Sequence, residues 1–361
     1  MDDTLSPPVD AEAVVKSLPS LPLEIIYHII KLSLPLVRFN TFRERYELLR
    51  TFSLVSKSWT SLAQAELWRH ICVDSRDALV ALHAAIAGSE ASLAATRRVG
   101  LSIRLSNVAS CWTIRDLQTL LGKLQSVQEA WVCNRDLQGP SAAVFGPSAF
   151  ASHLKRLHLD VLVLKPKSTA DVFPSLVELS ISDPVDVDAA VTFLKHTTFP
   201  SLESLSFVYW PGLDSSEELK PINEVLRTLG PALKRFAFTI SADSSCNLVH
   251  LDWDRFFSLR SLVFEVPPAR DTSSILRKIP TKLETLRLRA GEGADEPSEL
   301  LDALLEWPPA LSALKALMVF RLGAVEEETL ERSCAQRGVS VAYQAAGQTY
   351  FNSWEDLALL P

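Results

Sequence analysis

Seven short cores of one form recur along this chain: an apolar residue, two of any kind, a second apolar residue, one of any kind, and a third apolar residue. They are Leu154/Leu157/Leu159, Leu176/Leu179/Ile181, Leu202/Leu205/Phe207, Leu233/Phe236/Phe238, Leu259/Leu262/Phe264, Leu283/Leu286/Leu288 and Leu314/Leu317/Val319. Their first positions lie 22, 26, 31, 26, 24 and 31 residues apart, a mean period of about 27 that marks an array of stacked repeats. In five of the seven cores the last two apolar residues flank a polar or small one, the period of a strand with one buried face. Several cores follow a proline, as at Pro174-Ser175, Pro200-Ser201 and Pro231-Ala232. Between them Asp188 to Lys195, Glu217 to Leu229 and Glu299 to Leu305 read as helices. Strand, helix and equivalent strand give parallel strands laid down in chain order. Weaker copies stand at Val99/Leu101/Ile103 and Val127/Ala130/Val132, and Val339/Val341/Tyr343 reads as a closing strand.

The expected fold class is therefore α/β. A doubly wound sheet also alternates strands and helices, but needs no shared local pattern in seven successive strands. From about Thr96 to Tyr343 the pattern resembles a leucine-rich-repeat solenoid. It departs from the regular form after the core, where Leu162, Pro184 and Gly291 replace the Asn or Cys of that family, so no asparagine ladder is expected to satisfy the turns.

The first hundred residues read differently. Leu21 to Leu32 opens with Ser20 as a capping candidate and Pro22 in the first turn, where a missing N–H costs nothing. One stripe runs through Leu21, Ile25, Ile29 and Leu32, and a second through Leu23, Ile26 and Ile30. A helix apolar on two faces must be covered on both. Further on, Leu48, Phe52, Val55, Trp59 and Leu62 advance by four, three, four and three, the spacing of one helical face. Leu49 and Leu54 lie off that stripe, and the surplus exceeds what three short helices can hide among themselves.

Leu21-Pro22-x-Glu24-Ile25, then Leu54-Val55-Ser56-Lys57-x-Trp59, then Leu62-Ala63 and Leu67-Trp68 resemble an F-box, in a chain similar to fungal-type F-box proteins with a leucine-rich-repeat-like C-terminal domain. The resemblance implies a three-helix domain that docks on the Skp adaptor of a Skp-cullin-F-box ubiquitin ligase. It places Leu21, Pro22, Ile25, Ile29, Val55 and Lys57 against that adaptor, with Trp59, Leu62 and Trp68 holding the helices together. Ser33 to Tyr46 is longer than the usual connection of the family. The alternative is a helical cap on the array, with these aliphatic residues buried internally.

The expected organisation is a disordered tail over 1–17, the F-box over 18–75, a linker helix over 76–95, the solenoid over 96–345 and a tail over 346–361. Trp354, Leu357, Leu359 and Leu360 in that tail predict partial docking along the solenoid.

A net charge of −7 argues against nucleic acid, which needs a basic face. With 47% hydrophobic and 22% charged residues the bulk of the chain should fold. Five scattered cysteines without a Cys-x-x-Cys pair suggest neither zinc nor a disulfide framework. No basic-then-apolar leader and no run of about 20 apolar residues is present, so neither secretion nor a membrane is expected, and the location is cytoplasm or nucleus.

Seven strands about 4.8 Å apart offer roughly 30 Å of concave face, enough for a protein interface of about 800 Å² a side. Its central row is expected to be His158, Ser180, Ser206, Ala237, Val263, Arg287 and Met318, flanked by Arg156, Glu178, Ser204, Arg235, Ser261, Thr285 and Ala316. Arg156, His158, Glu178, Arg235, Arg287 and Met318 are the candidates to touch a target protein. Tyr209, Trp210 and Trp253 are either anchoring aromatics or residues wedged under loops. Gly291-x-Gly293 lacks the rest of a phosphate loop, and Asp186-x-Asp188 and Asp252-x-Asp254 lack the ligands of a calcium loop. No nucleophile elbow or paired histidines appear, so neither cofactor nor catalysis is expected. The reading is an adaptor that recruits a target to the ligase. The alternatives are a repeat scaffold without ligase association and, more distantly, a hydrolase assembled by folding. Exposure of Leu21, Ile25 and Val55 favours the adaptor; their burial favours the scaffold.

Overall fold

Each of the seven cores forms a strand in the computed structural model. It describes residues 21–35, 41–88, 101–107, 116, 119–120, 124, 127–134, 152–160, 172–182, 187–209, 219–240, 248–266, 272–290, 297–320 and 322–344. Ser20, Trp210, Gly291, Gly293 and both expected tails lie outside these residues. The cores give β4 (Arg156–Asp160), β5 (Glu178–Ser182), β6 (Ser204–Tyr209), β7 (Arg235–Ile240), β8 (Ser261–Val266), β9 (Thr285–Ala290) and β10 (Ala316–Phe320). The weaker copies give β2 (Leu101–Asn107) and β3 (Val127–Asn134), and β11 (Ser340–Gln344) closes the row. One strand has no counterpart in the repeat pattern: β1 (His70–Val73), which pairs in parallel with β2.

Among the described residues the sheet has eleven parallel strands in the order β1 to β11, each beside its neighbour in sequence. A doubly wound sheet would reverse direction partway, so this order leaves the solenoid. The crossovers carry α5 (Val187–His196), α6 (Lys220–Leu229), α7 (Thr272–Lys278), α8 (Pro297–Leu305) and α9 (Ala324–Ala335), with two 3-10 turns, Leu248–His250 and Trp253–Arg255, between β7 and β8. The stretch 76–95 holds α4 (Arg76–Gly88), whose Leu79 and Ile86 join the solenoid core.

That core is the second and third apolar position of every repeat, from Leu157 and Leu159 to Leu317 and Val319, packed against Leu194, Leu226, Leu276, Leu304 and Leu330 of the helices. Period two on the strands and 3.6 on the helices therefore meet on one side of the sheet. Trp253 belongs here as a wedged residue: it is 3% exposed and its indole N–H donates to Leu248 O at 3.0 Å.

The missing asparagine ladder has a substitute. Ser175 donates to Ser152 O at 2.7 Å, Ser201 to Pro174 O at 2.7 Å and Ser258 to Pro231 O at 2.9 Å. Each hydroxyl crosses to the repeat before, so these serines tie one turn to the next. The backbone continues the stitching one step nearer the strands, where Glu203 N donates to Val177 O, Lys234 N to Glu203 O and Arg260 N to Lys234 O, at 2.8 to 2.9 Å. These bonds satisfy groups that a turn would otherwise leave to water.

The N-terminal helices are α1 (Leu23–Ser33), α2 (Phe42–Ser53) and α3 (Lys57–Leu67). Helix α1 starts at Leu23, two residues later than the expected Leu21, with Pro22 at its N-cap. The single helical face expected from Leu48 to Leu62 is broken in two. Local hydroxyls cause the break: Ser53 Oγ donates back to Arg50 O at 2.6 Å, Thr60 Oγ1 to Ser53 O at 2.5 Å, and Ser56 is extended at φ −163°. Serine and threonine compete in this way with the helical ladder.

Candidate functional site

The two stripes of α1 have opposite fates. Ile26 and Ile30 are 3% and 0% exposed and build a small core with Leu34, Leu49 and Ala63, against which Leu48, Phe52, Trp59, Leu62 and Leu67 pack. Leu21, Ile25, Ile29 and Leu32 are exposed, at 51%, 46%, 36% and 86%. Their spacing sets them along one line of the helix and its entry. Leu23, expected on the inner stripe, is exposed as well. Leu54 and Val55 stand out from the turn before α3, with Lys57 exposed in its first turn.

An isolated small domain gains nothing by presenting a row of leucine and isoleucine to water, and contiguous apolar surface of this kind marks an interface. The six residues expected against an adaptor, Leu21, Pro22, Ile25, Ile29, Val55 and Lys57, are all exposed. Trp68, expected as a helix clamp, is half-buried at the end of α3.

A charged cluster missed in the sequence joins this domain to the sheet. Arg45 Nη2 donates to Glu66 Oε1 at 3.0 Å and Arg45 Nη1 to Pro35 O at 2.7 Å. Arg69 Nη1 reaches Glu66 Oε2 at 3.1 Å and Tyr27 Oη at 2.9 Å, and His70 Nε2 stands 3.3 Å from Glu66 Oε1. Arg45, Glu66 and His70 are all buried. Burial alone would raise the Glu66 carboxyl, but the His70 hydrogen bond and the charges of Arg69, His70 and Arg45 outweigh it and hold it down at about 2. Burial lowers His70 against the pull of Glu66. The available signal was Arg45 itself, three residues after Phe42 and four before Leu49 on a buried helical stripe, where a charge requires a partner.

The far face of the sheet, turned away from the crossover helices, carries the expected target-facing row. Register sets Trp131, His158, Ser180, Ser206, Ala237, Val263, Arg287 and Met318 side by side. The structure engages several of these residues within the chain. Arg156 pairs with Glu129 on the neighbouring strand, and Arg235 Nη2 lies 3.3 Å from Glu178 Oε2. Burial raises the Glu178 carboxyl, opposed by Arg235 and Arg156. His158 Nε2 is 3.2 Å from Ser182 Oγ. His158 and Arg287, expected on an open surface, are 8% and 3% exposed, while Met318 is half-buried. Among the described residues no three His, Cys, Asp or Glu side chains gather as metal ligands would.

Residues 18–74 match the F-box-like family model. No curated protein matches the chain. The fold is similar to the crystal structure of a Bacteroides fragilis protein, 16% identical, with a TM-score of 0.45 over 77% of this chain and 74% of that one. The family match spans α1, α2, α3 and β1, and so takes in both the exposed stripe and the buried cluster behind it. Residues 18–74 are thus an F-box-like domain, followed by a solenoid-like row of parallel strands.

Proposed function

We propose that this chain is the substrate-recognition adaptor of a Skp-cullin-F-box E3 ubiquitin ligase. The observation that carries the reading is the outward stripe of α1: Leu21, Ile25 and Ile29, with Val55 on the turn before α3, are exposed in an F-box-like domain whose own core is complete without them. Pro22 and Lys57 border the same docking surface. The adaptor partner would cover the apolar row, and through it a cullin ligase would be joined.

The solenoid would hold the target protein, with Arg156, His158, Glu178, Arg235, Arg287 and Met318 as the candidate contacts. The chain contributes position rather than side-chain chemistry. Holding a target lysine near a charged conjugating enzyme raises its effective concentration, and α2 packs against the first strands through Phe42. Catalysis belongs to other subunits. The net charge of −7 disfavours nucleic acid as a partner, and among the described residues no helix is long and apolar enough to cross a membrane. The cytoplasm or the nucleus is the compartment this role requires.

Co-purification with the Skp adaptor tests the proposal, comparing the parent chain with Ile25→Asp. A carboxylate buried at the interface without a partner costs several kcal/mol, so the variant loses the adaptor while staying folded. A folded parent chain that does not retain the adaptor refutes the reading.

A further inference from the structure

The two free positions between the first and second apolar residues of each core carry a charge pattern of their own. Across the seven cores they hold six cations, Lys155, Arg156, Lys234, Arg235, Arg260 and Lys315, and three acids, Glu178, Glu203 and Glu284. The whole chain has a net charge of −7, so this is a basic band on an acidic protein. The strands stand side by side in chain order, which makes the band continuous across the starts of β4 to β10. Ion pairs run along it from repeat to repeat. Lys234 Nζ lies 2.6 Å from Glu203 Oε1, while Arg260 Nη1 and Lys315 Nζ share Glu284, each at 2.7 Å. Arg235 pairs with Glu178, and Arg156 with Glu129. In every one of these pairs the cation is the more exposed partner. The side chains of Arg260 and Lys315 are 67% and 73% exposed, against 28% for the Glu284 they share. Stitching the repeats together would need one cation for each acid, and an exposed pair adds at most about 1 kcal/mol. That accounts neither for the second cation on Glu284 nor for Lys155, exposed in the same band.

We propose that this band is a docking strip for an acidic polypeptide segment of the target protein, whose carboxylates sit on the outer layer of guanidinium and ammonium groups. The inference rests on the reading of the solenoid as a target-binding surface and gives the target a chemistry. From β4 to β10 the strip is about 29 Å long, the reach of about nine extended residues. Its charges alternate in blocks: cations on β4, acids beside β5 and β6, cations at β7 and β8, an acid at β9 and a cation at β10. A polypeptide can match that order, with carboxylates over the cations and neutral side chains over the acids. Arginine in particular favours carboxylate partners. A nucleic-acid strand carries a charge on every phosphate, so some of its phosphates would lie over Glu178, Glu203 and Glu284.

Fluorescence polarisation of a labelled peptide tests this on the full chain. The probe has about nine residues, matched to the strip, and alternates glutamate with serine; its counterpart carries glutamine in place of glutamate. The parent chain is expected to bind the glutamate peptide and to hold the glutamine peptide at least about tenfold more weakly. Lys234→Glu together with Arg260→Glu, both at exposed positions, is expected to weaken the glutamate peptide by at least about tenfold. Arg50→Glu together with Arg332→Glu makes the same change in net charge at exposed positions in α2 and α9, and is expected to leave binding within about twofold. Circular dichroism establishes that each variant is folded. Three results overturn the proposal. A folded parent chain that does not bind the glutamate peptide means that the strip takes no acidic segment. Equal loss in the two double variants means a general attraction of charge. Single-stranded DNA of matched charge, bound more tightly and released by the same two strip substitutions, assigns the strip to nucleic acid. None of these measurements involves the Skp adaptor, so a chain that fails here can still bind the adaptor, and one that fails to bind the adaptor can still show the strip.

Discussion

Phe42 of α2 meets Trp131 of β3 edge to face, with ring centroids 6.1 Å apart and planes at 69°. Phe42 is 1% exposed and also stands edge-on to His70 at 6.2 Å, yet neither Phe42 nor Trp131 lies in the core of the small domain or that of the sheet. The pair is the apolar bolt between them. Phe42→Ala should cost about 3 kcal/mol, the usual loss for a buried phenylalanine. Chemical denaturation measures this, and the unfolding of the two regions should separate as the contact is lost.

The charged cluster behind the bolt makes the junction acid-sensitive. The Glu66 carboxyl, held at about 2, lies below its unfolded value near 4.5, so its stabilisation is complete above about pH 4.5 and is lost as the pH falls toward 2. His70 is lowered from 6.5, so the folded state disfavours its protonation, and stability also declines as the pH drops below that value. Both shifts act in the same direction. Urea midpoints at pH 7, 5 and 3 should fall stepwise. Glu66→Gln should cost about 3 kcal/mol at pH 7, by leaving Arg45 buried without its counter-charge.

Two isoleucines five residues apart on α1 give a paired prediction. Ile25→Asp should leave the melting temperature of the chain nearly unchanged, since an exposed position away from special contacts shifts stability by about 0.5 kcal/mol or less. Ile30→Asp places a carboxylate in the small core and should unfold the domain. Circular dichroism melting curves of the two variants separate these outcomes.

Helix α9 ends in a left-handed glycine. Gly338 has φ +71°, and Val339 N donates back to Cys334 O at 3.0 Å, the bond that seals this type of helix end. No atom would touch an added Cβ, so the cost of Gly338→Ala is conformational, about 1 kcal/mol. Gly338→Asn should cost less. Equilibrium unfolding of both variants checks the order.

Cys334 is 0% exposed, and burial pushes its thiol up to about 11 against a weak opposing pull from Arg337. At pH 8 it should resist iodoacetamide until the chain is unfolded, because the thiolate is the reactive form. Mass spectrometry of its tryptic peptide reads the outcome.

The repeat cores carried the solenoid into view because strand burial obeys a period of two, and every second and third core position from Leu157 to Val319 is indeed inward. The division of α1 was equally visible: spacing alone separates Ile26 and Ile30 from Ile25 and Ile29. Other features left weaker traces. Strand β1 is the tetrapeptide His70–Val73, too short to show an alternation and lacking the leading leucine of the other cores. The break between α2 and α3 was masked because Leu48, Phe52, Val55, Trp59 and Leu62 keep helical spacing across it, while the cause is hydroxyl groups that any serine-rich stretch contains. The Arg45, Glu66 and His70 cluster depends on residues 21 and 25 positions apart meeting in space. The burial of His158 and Arg287 on the far face runs against the polar reading that the strand alternation suggests for them.

Strict sequence order in the sheet has a thermodynamic corollary. Each strand leans only on the one before and the one after, so the array is a chain of nearest-neighbour couplings rather than one all-or-none block. Its two ends are unequal: among the described residues β1 is bolted to α2, while β11 pairs with β10 alone. Unfolding therefore has a direction. It is expected to start at the β11 end and run toward the F-box-like domain, which would make that domain the last part to let go.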